Sequence, residues 1–227
     1  MKKWHLPLQT AVDLWAIDLD SEQGAVYEPL LAADELARAH RFHFEKDRQR
    51  YVVGRGRLRL LLGHYLSQPP KQVKLAYTTQ GKPYLPERPG QPELYFNMSH
   101  SQQFALLAFA WGRRVGVDLE LIRPLRNPDK LVRRFFAPAE VSAWQTVAPE
   151  HQTAAFFCGW TRKEAFIKAI GDGLSYSLDR FVVTLHPDEP ARLLTIDGNP
   201  TAAQDWEMVS LRPFPQTIAA LIVEKER

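Results

Sequence analysis

The stretch from Arg113 to Pro124 reads RRVGVDLELIRP, and its alternation of residue types defines the element around which the fold is built. Side chains alternate between the two faces of a strand, so residues two apart share a face. One face carries Val115, Val117, Leu119 and Leu121, and the other carries Gly116, Asp118 and Glu120. The pattern predicts a strand with an apolar core face and two carboxylates side by side on the opposite face.

The two carboxylates predict a divalent cation site. Residues two apart on a strand lie roughly 7 Å from each other, so both side chains can hold one ion. Oxygen ligands favour a hard ion such as Mg²⁺ over a soft metal. A solvent-facing pair with no role is the alternative. Glu164 in GWTRKEAFIKAIG is the candidate third ligand.

The helix that carries Glu164 has a second charged residue on the same side. Trp160, Glu164 and Lys168 follow one another at four-residue spacing and therefore line one face. An ordinary exposed Glu–Lys pair is the alternative. Aromatic and aliphatic residues surround these charges in the sequence, which predicts a mostly buried helix whose charges need partners. Cys158 in this apolar setting is interpreted as core filling rather than as a nucleophile.

Length and composition limit the possible classes. A chain of 227 residues with 45% hydrophobic and 24% charged residues fits one large globular domain or two of about 110 residues. A single cysteine permits no internal disulfide and favours a reducing compartment. The longest uncharged apolar run, FALLAFAW, is far shorter than the roughly 20 residues of a membrane span. With no signal peptide evident, we expect a cytoplasmic protein without a membrane segment.

Positive charge is concentrated between residues 38 and 59, which contain eight basic and two acidic residues. A helix from about 47 to 66 would place Arg48, Arg55 and Arg59 on one face as an exposed basic ridge. A solvated face and a phosphate-binding patch, for a nucleotide or a nucleic acid, are both open interpretations.

Hydrophobic periodicity and turn residues predict the remaining elements. We expect strands near 12–19, 72–77, 103–110, 179–185, 206–212 and 217–223, and helices near 33–40, 129–136, 138–147 and 151–170. Gly171 can end the long helix. FNMSHS is interpreted as a loop that leads into the strand at 103–110. Both halves mix helices with antiparallel strands, and the halves meet near residue 112.

Two motifs in order resemble a known enzyme family. GVDLE, followed some forty residues later by WTRKEAFIKAIGDGLS, resembles the signature of the 4′-phosphopantetheinyl transferases, in the Sfp-type (surfactin synthetase activating) subgroup. ARAHRF with its basic helix, QGKP and FNMSHS resemble preceding segments of that family. The resemblance spans about residues 38 to 185.

The resemblance implies transfer of 4′-phosphopantetheine from coenzyme A to a serine of an apo acyl, polyketide or peptidyl carrier protein, with release of 3′,5′-ADP. It implies that Asp118, Glu120 and Glu164 bind Mg²⁺, for which Mn²⁺ can substitute. Glu164, or a water polarised by the metal, would take the serine proton, and Lys168 would stabilise the breaking pyrophosphate.

Coenzyme A contacts are implied for a wider set of residues. These are Arg38, Arg41, Arg50, Lys82, Ser99, His100, Asp118, Lys163 and Lys168. Arg38 and Lys82 match the basic residues around the adenosine 3′-phosphate, with Arg41 and Arg50 as weaker candidates. Tyr51 departs from the small residue that family members often carry there.

The implied fold is α+β, with two similar subdomains, residues 1–112 and 113–227, related by a pseudo-twofold around a cleft for coenzyme A. Because one chain contains both halves, we expect a monomer with no nucleic-acid or membrane partner. Two alternatives remain from the sequence: a basic nucleic-acid-binding module, and a non-catalytic relative that only binds carrier proteins.

Overall fold

The computed structural model describes residues 1–6, 8, 11–171 and 176–226, and the fold is a mixed α+β arrangement of antiparallel sheets and helices. The strands are β1 (Lys2–Trp4), β2 (Asp13–Asp18), β3 (Ala76–Tyr77), β4 (Pro83–Tyr84), β5 (Leu94–Ser101), β6 (Phe104–Trp111), β7 (Val115–Leu121), β8 (Phe181–Val183), β9 (Leu193–Ile196), β10 (Trp206–Leu211) and β11 (Thr217–Glu224). The helices are α1 (Ala33–Ala39), α2 (Glu45–Leu66), α3 (Pro128–Phe135), α4 (Pro138–Gln145), α5 (Pro149–Ile170) and α6 (Pro200–Gln204).

Two antiparallel sheets form the centre of the molecule. The first has the order β1-β2-β6-β5, and the second has the order β10-β11-β7. The apolar face of β7 packs with β2, β6 and β11 in one shared core, to which Val115, Val117 and Leu119 contribute. Separate apolar clusters lie under α2 and under α5. β7, within the stretch from 113 to 124, is therefore the element through which the two sheets share a core.

The chain follows the same path twice. In the first half the order along the chain is β2, α2, β5, β6, and the sheet order of these strands is β2-β6-β5. In the second half β7, α5, β10 and β11 give the sheet order β7-β11-β10. In each half, the last of these strands along the chain therefore lies between the other two in the sheet.

A buried ion pair is repeated in the same two places. Glu35 accepts the Ala32 backbone N–H at 2.9 Å and pairs with Arg59, the fifteenth residue of α2. In the second half Glu140 accepts the Ala137 N–H at 2.7 Å and pairs at 2.8 Å with Lys163, the fifteenth residue of α5.

Each cation of these pairs also donates hydrogen bonds to backbone carbonyls that lie beyond the end of its own helix. Arg59 donates to the carbonyls of Pro70 and Val73, and Lys163 donates to those of Leu178 and Phe181. Because each cation bonds to backbone carbonyls as well as to its carboxylate, both halves tolerate a buried charge pair.

The predicted exposed ridge on α2 is wrong. Arg55 and Arg59 are buried, and both lie against Glu35, which is 1% exposed. Arg48 forms ion pairs with Glu28 and Glu45. Acidic residues far away in the sequence neutralise this helix, and a helical-wheel pattern contains no information about them.

The predicted loop FNMSHS is wrong as well, because Phe96 to Ser101 lie in β5. Most of the other predicted elements are confirmed within a few residues, including α5 with Gly171 as its left-handed cap at φ 84°. The GDGLS part of the second motif extends through residues 172–175, which lie outside the described residues. In the described part of the chain, no helix is both long and apolar enough to span a bilayer.

Candidate active site

The site lies where β5 of the first sheet runs beside β7 of the second. These strands share no backbone ladder; side chains of β5 accept the backbone N–H groups of β7 instead. Asn97 Oδ1 accepts from Val117 N at 2.9 Å, Ser99 Oγ from Leu119 N at 3.2 Å, and Ser101 Oγ from Leu121 N at 3.0 Å. The edge of β7 is therefore satisfied by polar side chains that come from the other half of the molecule.

Gly116 lets the long helix approach the carboxylate strand. A Cβ at this position would overlap the carbonyl oxygen of Ala165 and lie 2.6 Å from the backbone nitrogen of Ala169, both in α5. Only a residue without a side chain permits this packing. As a result, Glu164 and Lys168 on α5 lie beside the face of β7 that carries Asp118 and Glu120.

Asp118 is the centre of the cluster and is 4% exposed. Its Oδ1 accepts from Ser99 Oγ at 2.9 Å and from Lys168 Nζ at 2.5 Å. Lys168 also donates to Ser99 Oγ at 3.0 Å. Asp118 Oδ2 is buried and has no hydrogen-bond partner, which is costly for a carboxylate oxygen.

The other two carboxylates have perturbed pKa values. Burial, followed by the charge of Asp118, raises the pKa of Glu120 and of Glu164 above the ordinary value of 4.5. Glu120 accepts a hydrogen bond from Ser101 Oγ at 3.3 Å. A positive ion placed between them would favour the charged forms of Glu120 and Glu164, which burial and the charge of Asp118 disfavour.

These residues fit a divalent cation by their chemistry. The donor set is all oxygen, and Asp118 Oδ2 is a buried acceptor without a partner. Over the described ranges, however, no three acidic, histidine or cysteine side chains form a preformed metal cage. Lys168 Nζ contacts Asp118 Oδ1 in this arrangement.

A cavity of about 420 Å³ opens beside the cluster, between the QGKP turn, β5 and the end of α5. It is lined on one side by Lys82, Phe96 and Met98, and on the other by Glu164 and Lys168. Lys82 Nζ donates to the backbone carbonyl of Lys168, and burial together with the Lys168 charge lowers the pKa of Lys82. The cavity thus has one cation from each half.

A second pocket, of about 320 Å³, lies farther along β5. Its wall includes Arg38, Arg50, Tyr51 and His100. His100 comes two residues after Met98 and therefore on the same face of β5. Arg50 is already bound to both oxygens of Asp20, each at 2.7 Å. Arg38 lies 5.5 Å from the centre of the Tyr51 ring.

The structure separates residues that the sequence grouped together. Lys82 and Arg38, both expected near one phosphate, line different cavities. Lys163 is fully buried against Glu140 and does not reach the cleft, so its expected contact with coenzyme A is a wrong prediction. Arg41 is exposed and lines neither cavity.

Three residues of this site were not singled out by the sequence. Asn97 and Ser101 form the junction of the strands together with Ser99, and Gly116 admits α5. The sequence does contain a signal for this junction. Small polar residues occupy every second position at Asn97, Ser99 and Ser101, which is the period of a strand. Interpreting FNMSHS as a loop concealed that period of two.

Comparison with known proteins gives two family matches in succession. Residues 21–111 match the 4′-phosphopantetheinyl transferase N-terminal family, and residues 114–220 match the 4′-phosphopantetheinyl transferase superfamily. Between them these matches cover nearly the whole chain.

Individual relatives agree with these matches. The chain is 41% identical to the 4′-phosphopantetheinyl transferase HetI of Nostoc sp. strain PCC 7120, over 95% of this chain and 89% of that protein. It is 29% identical to the 4′-phosphopantetheinyl transferase Sfp of Bacillus subtilis strain 168, over 75% and 73% of the two chains. The crystal structure of Thermotoga maritima holo-[acyl-carrier-protein] synthase aligns with a TM-score of 0.37 at 20% identity, over 50% of this chain and 64% of that one, which is a remote likeness.

Proposed function

We propose, from the premise that this chain belongs to the 4′-phosphopantetheinyl transferase superfamily, that it moves the 4′-phosphopantetheine group of coenzyme A to a serine of apo carrier proteins. The observation that carries this proposal is the convergence of Asp118, Glu120, Glu164 and Lys168 at the junction of the halves. Acyl, polyketide and peptidyl carriers are the candidate substrates.

We assign Asp118, Glu120 and Glu164 as the residues that hold Mg²⁺, or Mn²⁺ in its place. When bound, the ion neutralises charge on the pyrophosphate of coenzyme A. The orphaned Asp118 Oδ2 and the raised pKa values of both glutamates support this assignment. Lys168 would turn from Asp118 towards the pyrophosphate oxygens.

In the reaction the serine oxygen attacks the phosphorus next to pantetheine, and the bond from that phosphorus to the bridging oxygen breaks. 3′,5′-ADP leaves with the bridging oxygen, and the serine proton must be taken up. Glu164 is proposed as the group that takes it, because its carboxylate belongs to the cluster and lines the cavity beside it. A water molecule is the alternative acceptor.

The nucleotide of coenzyme A is proposed to follow β5 from one cavity to the other. Lys82, Ser99 and Lys168 surround the first cavity and its rim, where the pyrophosphate would lie. Arg38 and His100 in the second pocket would hold the 3′-phosphate, with Arg50 contributing if it shares its charge with Asp20. Arg41 stays a weaker candidate outside both cavities.

We also propose a subgroup, a division into subdomains and an oligomeric state for this chain. We place the chain in the Sfp-type subgroup, supported by two halves in one chain and by identity to Sfp over most of its length. Residues 1–112 and 113–227 are proposed as subdomains, supported by the repeated strand order and by family matches that adjoin at 111 and 114. A monomer in the cytoplasm, with no nucleic-acid partner, is proposed for the intact enzyme.

The test is mass spectrometry of several purified apo carriers after incubation with the protein, coenzyme A and Mg²⁺. A gain of one phosphopantetheine group on a carrier serine, absent with EDTA and restored by Mg²⁺ or Mn²⁺, is the expected result. Binding of DNA or RNA that falls steeply with salt, without any carrier modification, would instead favour a nucleic-acid-binding protein.

A further inference from the structure

The contacts between β5 and β7 follow a repeated pattern. Every second side chain of β5 from 97 to 101 accepts the backbone N–H of the β7 residue twenty positions later in the chain. These side chains belong to Asn97, Ser99 and Ser101. The two serines also donate to the acid nineteen positions later, which is Asp118 for Ser99 at 2.9 Å and Glu120 for Ser101 at 3.3 Å. Each serine therefore joins the backbone of β7 to one of its carboxylates.

The residue type at each of these β5 positions matches the residue that it faces on β7. Asn97 makes the backbone contact but faces no acid, because the residue nineteen positions later is Gly116. A hydroxyl suits the other two positions, since it can accept from an N–H and donate to a carboxylate at the same time. An acid in place of either serine would lack the proton to donate, and an alanine would lack both functions.

Ser99 has no hydrogen-bonding capacity left for a ligand. Its Oγ donates to Asp118 Oδ1 and accepts from Leu119 N at 3.2 Å and from Lys168 Nζ at 3.0 Å. A hydroxyl has one proton and two lone pairs, so all of them are used. Neither Ser99 nor Ser101 is among the described residues that line the 420 Å³ cavity or the 320 Å³ pocket. The contacts of Ser99 are therefore with the carboxylate cluster rather than with the cavities proposed for coenzyme A.

The contact with Ser99 determines which oxygen of Asp118 is available. Ser99 and Lys168 both bind Oδ1, whereas Oδ2 is buried and has no hydrogen-bond partner. A carboxylate that is held through one oxygen presents the other in a defined direction, and hydrogen bonds of this kind orient the side chains that bind metals. The longer contact from Ser101 restrains Glu120 in the same way but more weakly.

We propose that Ser99 and Ser101 are positioning residues that orient the carboxylates of Asp118 and Glu120 for the divalent cation. This inference rests on the proposed function, which assigns both acids as metal ligands. The first half of the chain then shapes the metal site without providing a ligand to it. If the serines only satisfied the edge of β7, as Asn97 does, their loss would change stability and leave the affinity for metal as it is.

Binding of Mn²⁺ separates these two roles. Mn²⁺ is titrated into each protein at saturating coenzyme A and followed by electron paramagnetic resonance, with Mn²⁺ bound by coenzyme A alone subtracted. The Kd for Mn²⁺ should rise about 10- to 100-fold in Ser99→Ala, and by a smaller factor in Ser101→Ala because its contact is longer.

Asn97→Ala is the matched control, since it removes a contact to the same strand but faces no acid. Its Kd for Mn²⁺ should stay within about twofold of the wild-type value. Ser101→Thr retains the hydroxyl and should bind Mn²⁺ like the wild type. Urea unfolding shows whether each variant is folded, and the part-exposed position 101 keeps the comparison available if Ser99→Ala does not fold.

Transfer assays at low and saturating Mg²⁺ distinguish positioning from direct contact with coenzyme A. Ser99→Ala should recover most of its rate at saturating Mg²⁺, with a KM for coenzyme A close to that of the wild type. A KM for coenzyme A that stays raised would mean that Ser99 holds a phosphate and would overturn its positioning role.

Equal Kd values for Mn²⁺ in the serine and Asn97 variants would overturn both positioning roles, while transfer by the wild type would leave the proposed function standing. A wild type that binds no Mn²⁺ would remove the metal site and both roles with it. If the wild type modifies no apo carrier, the proposed function and the positioning roles fail together.

Discussion

Asp118 makes more contacts in the candidate site than the other two carboxylates. Its replacement should reduce transfer of phosphopantetheine without unfolding the protein. Asp118→Ala removes one oxygen held by Ser99 and Lys168 and one that has no partner. We expect transfer to fall by at least about 10²-fold, because a proposed metal ligand and the partner of Lys168 are both lost.

Folding should survive this change, since the other face of β7 carries the apolar contacts of the shared core. Single-turnover assays with a carrier, together with circular dichroism, measure the two effects. Asp34→Ala, at an exposed acid in α1, is the matched control. Near wild-type transfer by Asp118→Ala would remove Asp118 from the site.

Glu164 makes the stability of the metal-free protein depend on pH. Its pKa is raised by burial and then by the charge of Asp118. A carboxyl whose pKa is higher in the folded state stabilises the fold below its unfolded value, about 4.5, and loses that contribution as the pH rises through the folded pKa. Near neutral pH the charged Glu164 therefore lowers stability, and Glu164→Gln should raise the Tm in EDTA.

The advantage of Glu164→Gln should shrink as the pH approaches 4.5 and should disappear when Mg²⁺ and coenzyme A are added. For a domain of this size each 1 kcal/mol appears as about 2–4 °C in Tm. Scanning calorimetry in EDTA, between pH 4.5 and neutral pH, measures the difference in Tm between Glu164→Gln and the wild type. Glu150→Gln, on the exposed first turn of the same helix, is the control. A Tm gain that is the same at every pH would contradict a titrating Glu164.

The sequence singles out candidate site residues whose chemistry is unusual for their setting. Adjacent carboxylates on an apolar strand and a Glu–Lys pair in an apolar helix stand out from the pattern alone. Lys163 also stands out in this way, yet it lies in the core. Its partner Glu140 is 23 residues away, and pairing over that distance depends on tertiary packing.

At the scale of elements, the packing of α5 on β7 determines where the carboxylates meet. Gly116→Ala would place a methyl group against the backbone of α5 at Ala165 and Ala169. Backbone atoms cannot move aside as a side chain can, so α5 must shift. We expect a loss of about 1–3 kcal/mol of stability and a larger relative loss of transfer, because Glu164 and Lys168 move with the helix.

Urea unfolding and transfer assays measure these two effects. Gly24→Ala is the matched control, since a Cβ there would meet nothing closer than 3.5 Å. A Gly116→Ala variant with full activity would mean that the approach of α5 does not determine the geometry of the site.

The repeated buried ion pairs predict which substitutions the long helices accept. Lys163→Met leaves Glu140 buried without its cation, which should cost about 3–5 kcal/mol. Lys163→Arg should cost much less, because Arg59 fills the equivalent position in the first half. Chemical denaturation of the two variants tests this order. Equal losses would show that the charge of residue 163 does not matter.

The elements that the sequence predicts well are those with local signals. Gly171 ends α5, and the apolar period of α5 and β7 is visible without any other part of the chain. β5 was missed because its polar residues Asn97, Ser99 and Ser101 face β7 rather than water. The ridge on α2 was misjudged because Glu35, which neutralises it, belongs to another helix.

At the scale of the whole molecule, the site exists only because the two halves meet. Lys82 and Ser99 come from the first half, and Asp118, Glu164 and Lys168 come from the second. Side chains of β5 hold the edge of β7, and α5 covers that junction. The similarity of the two halves is thus one of path, whereas their chemical roles differ.

Mixing two variants, each damaged in a different half, tests whether one chain builds its own cleft. Lys82→Ala damages a contribution of the first half, and Asp118→Ala damages one of the second. If one chain builds its own cleft, a mixture of the two variants stays as inactive as its components at every protein concentration. If two copies shared their halves, random mixing would place one intact site in half of the dimers and restore about a quarter of the wild-type rate. The two variants are mixed, mildly denatured and refolded together. Transfer assays and sedimentation velocity on the same samples then decide between these outcomes. We expect no recovery, because Lys82 Nζ reaches the carbonyl of Lys168 within one chain and thereby connects the two walls of the same cavity.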